Sequence, residues 1–117
     1  MAQFQFILWL AYWYLQTATF EFQWDKGNST KSIAKHGVSI EEVESIFSLK
    51  LAVPIGRQIS PTVSEERLCV VGPSQGGRIL SVVFSLREGR VRPISSRIAS
   101  RKERSLYEKV RKTIEEL

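Results

Sequence analysis

Apolar positions along the chain recur with two different periods, and the changes of period mark the elements. Phe20, Phe22 and Trp24 alternate with Glu21, Gln23 and Asp25, the two-residue period of a strand with one buried and one wet face. Asp25, Gly27 and Asn28 then stop the strand. Asn28 or Ser29 can cap a helix that runs to His36, and Gly37 can take the left-handed conformation that closes its last carbonyls. Ser39-Ile-Glu-Glu42 is a capping box; Ile40, Val43 and Phe47 follow at helical spacing and predict a second short helix to about Ser48. Leu51 to Ile55 reads as a short strand weakened by Pro54, and Gly56 to Ser64 as a loop.

Three extended runs come next: Arg67 to Gly72, Arg78 to Leu86 and Val91 to Ser96. The glycine-bearing joints Pro73–Gly77 and Arg87–Arg90 suit hairpins, so the runs pair antiparallel as a meander. Leu80, Val82, Phe84 and Leu86 share the face expected to lie against the helices. Pro93 cannot donate to a ladder, so the third run is an edge there or carries a bulge. Ser100-Arg-Lys-Glu103 is a second capping box, opening a C-terminal helix with the apolar stripe Leu106, Tyr107, Val110 and Ile114. The expected fold is α+β: a first strand, two short helices, an antiparallel meander sheet and a C-terminal helix packed on one face.

Residues 1–19 stand apart from this domain, which spans 20–117. Phe4 to Leu15 is an almost unbroken apolar run with no basic residue before it, unlike a secretory signal. It stops at Gln16 and Thr17, well short of the ~20 apolar residues that span a bilayer. An extension that no fold requires, an added strand, and a sticky segment that docks on a partner or lipid surface all fit it. No membrane role is expected.

Length and composition narrow the choices. With 117 residues, 43% of them hydrophobic, the chain fills one modest core. Its net charge of +5 is lopsided. Residues 1–25 hold no Lys or Arg, whereas residues 78–112 hold eleven basic residues against Glu88, Glu103 and Glu108, a segment that attracts phosphate. Cys69 is the sole cysteine and His36 the sole histidine, so no disulfide or Cys-rich zinc site is available, which fits the cytoplasm. No metal or cofactor is expected. Gly-rich phosphate loops, a Ser-His-Asp order and dinucleotide fingerprints are all missing, leaving one histidine and many arginines. On residue chemistry alone, a single histidine at a helix end is more often a cap than a catalyst.

One spacing is more specific. Trp24-Asp25 is followed eleven residues later by His36-Gly-Val38, with Lys35 before the histidine. The same order continues through Glu41 to Phe47, Glu65-Glu-Arg67, Gly77-Arg78, Arg92-Pro-Ile-Ser-Ser-Arg97, and Lys102-Glu-Arg104 with Tyr107 and Glu108. Together these resemble the BrnT family, small bacterial ribonuclease toxins of type II toxin-antitoxin pairs, over roughly residues 20 to 110. Ser32, Pro93 and Ser96 depart from the family's usual Asn, aliphatic residue and Ala.

The resemblance implies a RelE-like fold and a metal-independent RNA endonuclease. It also implies a cognate antitoxin, usually a BrnA-like ribbon-helix-helix protein, that holds the enzyme inactive. RNA can be cut by its own 2′-OH if the enzyme takes that proton, protonates the leaving 5′-oxygen and offsets the charge on the phosphoryl oxygens. The implied catalytic residues are His36, Arg67, Arg92 and Arg97. Glu66, beside Arg67, is a candidate for the second proton-transfer role, and Lys31, Lys35, Arg78 and Ser95 for substrate binding. Arg92 and Arg97 are five apart, so in a regular strand they point to opposite faces; both reach one site only if the strand ends or bulges between them. The alternative reading is a non-catalytic module that binds nucleic acid or antitoxin with a degenerate site.

Overall fold

The computed structural model describes residues 21–28, 36–58, 67–87 and 90–116. Within them α1 (Ile40–Ser48) precedes four strands, β1 (Val53–Gln58), β2 (Arg67–Pro73), β3 (Ile79–Arg87) and β4 (Arg90–Ile98), and α2 (Arg101–Glu115) closes the chain. The strands form one antiparallel meander whose spatial order is their chain order. The expected helix before His36, residues 1–19 and the loop after Gln58 lie outside the described residues.

Each helix starts on its expected box. Ser39 Oγ accepts from the Glu42 N–H at 3.1 Å, and Ser100 Oγ from the Glu103 N–H at 3.2 Å. Gly37 has φ 66°, the left-handed backbone a helix end favours. One face of the sheet carries Leu80, Val82 and Phe84, all fully buried against Val43, Ile46 and Phe47 of α1. Phe47 is the hub: its ring meets Phe84 edge-on at 5.2 Å and Phe22 at 5.6 Å. Gly72 lets the sheet close on the α1–β1 connection, since a Cβ there would sit 2.5 Å from the Ala52 backbone.

Several expectations need correction. The first strand is reduced to a parallel bridge between Phe22 and Val91, held by Val91 N–H to Glu21 O (2.8 Å) and Gln23 N–H to Val91 O (2.9 Å). Pro93, two residues on, has no N–H where the next ladder bond would form, so the pairing stops. Asn28 fills the gap. It is buried, its side chain donates to Pro93 O (2.8 Å) and Gln23 O (3.0 Å), and it accepts from the Asp25 N–H (2.8 Å). The strand expected over Leu51 to Ile55 instead starts at Val53 and runs on through Gly56 to Gln58. It is an edge strand with an irregularity between Pro54 and Gly56, which is how it accommodates the proline.

The C-terminal helix lies on the other face from the one expected. α2 packs against β1 and β2, over Val53 and Val71, which are fully buried there. A strand pair apolar on both faces has room for a helix on each. Among the described side chains of α2 the half-buried ones are Glu103, Tyr107, Val110 and Arg111, whereas Leu106, expected in the stripe, is 41% exposed.

Candidate functional site

The face of the sheet that carries α2 collects the arginines singled out from sequence. Across β3 and β4 the opposed pairs are Ser85 with Arg92, Val83 with Ser95, and Ser81 with Arg97. Ile94 is the extra residue between Pro93 and Ser95, where the register shifts. That one insertion restores the parity that a five-residue separation would break, so Arg92, Ser95 and Arg97 share a face. Arg67 joins them from β2, one step beyond the Leu68–Phe84 pair and therefore beside Ser85.

Carboxylates hold two of these arginines. Arg92 Nη1 donates to Asp25 Oδ2 at 2.8 Å, and a longer 3.4 Å contact runs from Nη2 to Oδ1. Arg92 and the Gly27 N–H keep the Asp25 carboxyl below its ordinary value. Arg97 forks onto Glu103 at 2.7 and 2.8 Å, and the same carboxylate accepts from the Ser100 N–H (2.8 Å) and Ser81 Oγ (3.1 Å). Burial pushes the Glu103 carboxyl up, but those donors outweigh it and the net shift is downward. Burial raises the Cys69 thiol, whose sulfur lies 3.4 Å from Ser81 Oγ. Arg67 Nε and Ser85 Oγ are buried without a hydrogen-bond partner.

Arg78 does not join this group. It has the parity of Leu80 and Val82, and its guanidinium is spent on the opposite side of the sheet. There it bonds both oxygens of Glu42, with Nε to Oε2 at 2.8 Å, and donates to Gly37 O at 3.0 Å. Ser74 Oγ adds a bond to Glu42 at 3.1 Å. Arg78 first, with Ser74 and the Ser39 N–H, holds the Glu42 carboxyl below its ordinary value against the upward push of burial. His36 is exposed and immediately precedes Gly37. The structure therefore brings together Arg67, Arg92, Ser95 and Arg97, and not Arg78. Lys31, Lys35 and Glu66 lie outside the described residues.

Sequence reasoning passed over Asp25, Asn28, Ser81, Ser85 and Glu103 as site residues. Asp25 was visible as the partner of Trp24 in one motif, and Glu103 as half of a capping box; the serines carried no signal beyond their parity in β3. Chemically the face offers guanidinium donors in fork geometry, suited to an oxyanion such as phosphate. Among the described residues no cluster of three or more His, Cys, Asp or Glu side chains could hold a metal ion, and no helix is long and apolar enough to cross a membrane.

A family model for the ribonuclease toxin BrnT of type II toxin-antitoxin systems matches residues 24–103, which takes in Asp25, Arg67, Ser85, Arg92, Arg97 and Glu103. The crystal structure of the Brucella abortus ribonuclease toxin, BrnT, is similar at 29% sequence identity with a TM-score of 0.50. That match covers 71% of this chain and 100% of the Brucella chain. No curated protein matches.

Proposed function

Because the chain belongs to the BrnT family of ribonuclease toxins of type II toxin-antitoxin systems, we propose that it is a cytoplasmic endoribonuclease that cuts cellular RNA through the RNA's own 2′-OH, without a metal, and that a cognate antitoxin keeps it inactive. The observation that carries this reading is the convergence of Arg67, Arg92 and Arg97, from two separate strands, on one face through a single bulge. Three guanidinium groups on one face suit a phosphate whose oxygens gather charge in the transition state. Ser95, on the same face, orients the phosphate.

The proton transfers fall to His36 and Glu66. An imidazole takes and gives protons near neutral pH, which suits both steps, and a carboxylate can serve as the base. Lys31 and Lys35 draw in the RNA backbone by charge. The antitoxin is a BrnA-like ribbon-helix-helix protein that binds the toxin as a hetero-oligomer. Residues 20–117 form the toxin domain and 1–19 an extension, in keeping with a family match that begins at Trp24.

The test is cleavage of a labelled single-stranded RNA in EDTA, beside a fully 2′-deoxy strand and the His36→Ala and Arg92→Ala variants. Cleavage of RNA alone, abolished by either variant, supports the reading in full. Cleavage that survives His36→Ala moves the proton work to Glu66. Folded protein that binds RNA without cutting it replaces this reading with the non-catalytic module.

A further inference from the structure

The cross-strand row Arg67, Ser85, Arg92 contains the two orphaned polar atoms named above, and they are neighbours. Ser85 is fully buried at 0% exposure and its Oγ has no partner; Arg67 Nε is buried and equally without one. Buried polar atoms in native folds are nearly always bonded, so two orphans side by side mark a place organised for something other than the fold. The chemistry of the row says what that is. An arginine Nε is a donor only, the serine hydroxyl donates as well, and Arg92 adds a third donor-only group directly opposite Ser85. What is missing is an acceptor, and one with several oxygens. A hydrophobic strand face would have been completed as well by valine at position 85, as Val83 shows two residues away.

We propose that Arg67, Ser85 and Arg92 form a slot for a single phosphate group of the bound RNA, in which the Ser85 hydroxyl donates to a phosphoryl oxygen between the two guanidinium groups. This rests on the ribonuclease reading and adds to it a binding residue, Ser85. Asp25 holds the far edge of Arg92 by its Nη atoms and fixes the width of the slot. Cross-strand neighbours lie close enough for their side chains to share one anion.

The test measures binding of a fully 2′-deoxy oligonucleotide, which keeps the phosphates and lacks the 2′-OH, together with thermal unfolding. Ser85→Ala removes an unpaired hydroxyl from the fold and so leaves Tm unchanged or raises it, while Kd rises about tenfold or more, the size of one lost hydrogen bond to a charged group. Arg67→Lys keeps the charge and loses the Nε–H, and weakens binding in the same range. Unchanged binding by Ser85→Ala overturns the slot. So does a fall in Tm that accompanies the weaker binding, because Ser85 is then structural, and so does a wild type that does not bind the strand. Failure of the ribonuclease reading is separate: wild-type protein then binds the strand with the predicted Ser85→Ala defect but leaves RNA uncut in EDTA.

Discussion

The two faces of the sheet are made by alternate residues of the same strands, yet they are built to opposite ends. On the α1 face, Leu80, Val82 and Phe84 close on an aromatic hub, and the charged groups at its rim, Glu42 and Arg78, satisfy each other and the backbone of Gly37. On the α2 face the same strands present Arg67, Ser81, Ser85, Arg92, Ser95 and Arg97, with two buried polar atoms left unpaired. The difference teaches where stability ends and chemistry begins. A face that serves only the fold leaves no polar group wanting; a face meant for a ligand keeps donors unspent.

The largest effect should come from the closed face. Phe47→Ala removes a fully buried ring in edge contact with Phe22 and Phe84, and is expected to cost about 3–5 kcal/mol of stability, measured by urea unfolding. RNA binding by the fraction that remains folded should be unchanged. A loss of RNA affinity in that fraction would mean the two faces are mechanically coupled, and would break the contrast.

Glu103→Gln comes next, and should differ in kind from Glu42→Gln. Glu103 ties Arg97, Ser81 and the Ser100 N–H at one point under α2, so weakening those bonds should cost about 2–3 kcal/mol and also alter RNA cleavage, because Arg97 loses its anchor. Glu42→Gln should lower stability and leave kcat and KM as they were, since Arg78 lies on the other side. If both variants change cleavage alike, Arg78 belongs to the site after all.

Acid offers a third comparison. Glu42 and Glu103 both have folded-state values below the ordinary glutamate value of 4.5. Each therefore contributes stability that is fully present above about pH 4.5 and is lost as pH falls through its lower folded value. Wild-type Tm should drop through that window, and the drop should shrink in Glu42→Gln and Glu103→Gln. An equal acid response in all three proteins would show that neither carboxylate is linked to folding.

Much of this was legible in the chain. Alternation marks β2, β3 and β4, two capping boxes mark α1 and α2, and Gly37 takes the left-handed backbone expected of it. What was hidden has physical reasons. The first strand has a strand's alternation, but alternation says nothing about whether a partner offers donors, and Pro93 withholds the next one. The face that α2 covers was hidden because Val70 and Val71 are both fully buried, so the pattern in β2 admits a helix on either side. The inward stripe of α2 was misread because it begins with Glu103, a charged residue that a hydrophobic pattern assigns to solvent. The shared face of Arg92 and Arg97 turned on a single inserted residue, which Pro93 hints at and only the register fixes.

The smallest effect belongs to the closed face and tests how complete its optimisation is. Lys50 follows the Leu49 cap of α1 with φ 57°, a left-handed backbone that costs a residue bearing a Cβ, and its N–H bonds Phe47 O at 3.2 Å. Glycine is the residue that ends a helix this way without strain. Lys50→Gly should therefore stabilise the protein by up to about 1 kcal/mol in urea unfolding, after the greater chain entropy of glycine is set against the relief of strain. RNA binding should not move, because Lys50 sits at the end of α1 and away from the arginine face. A fall in stability would mean that the lysine side chain contributes more at this turn than its backbone strain costs. A fall in RNA binding with stability unchanged would extend the nucleic-acid surface around the sheet to the α1 side.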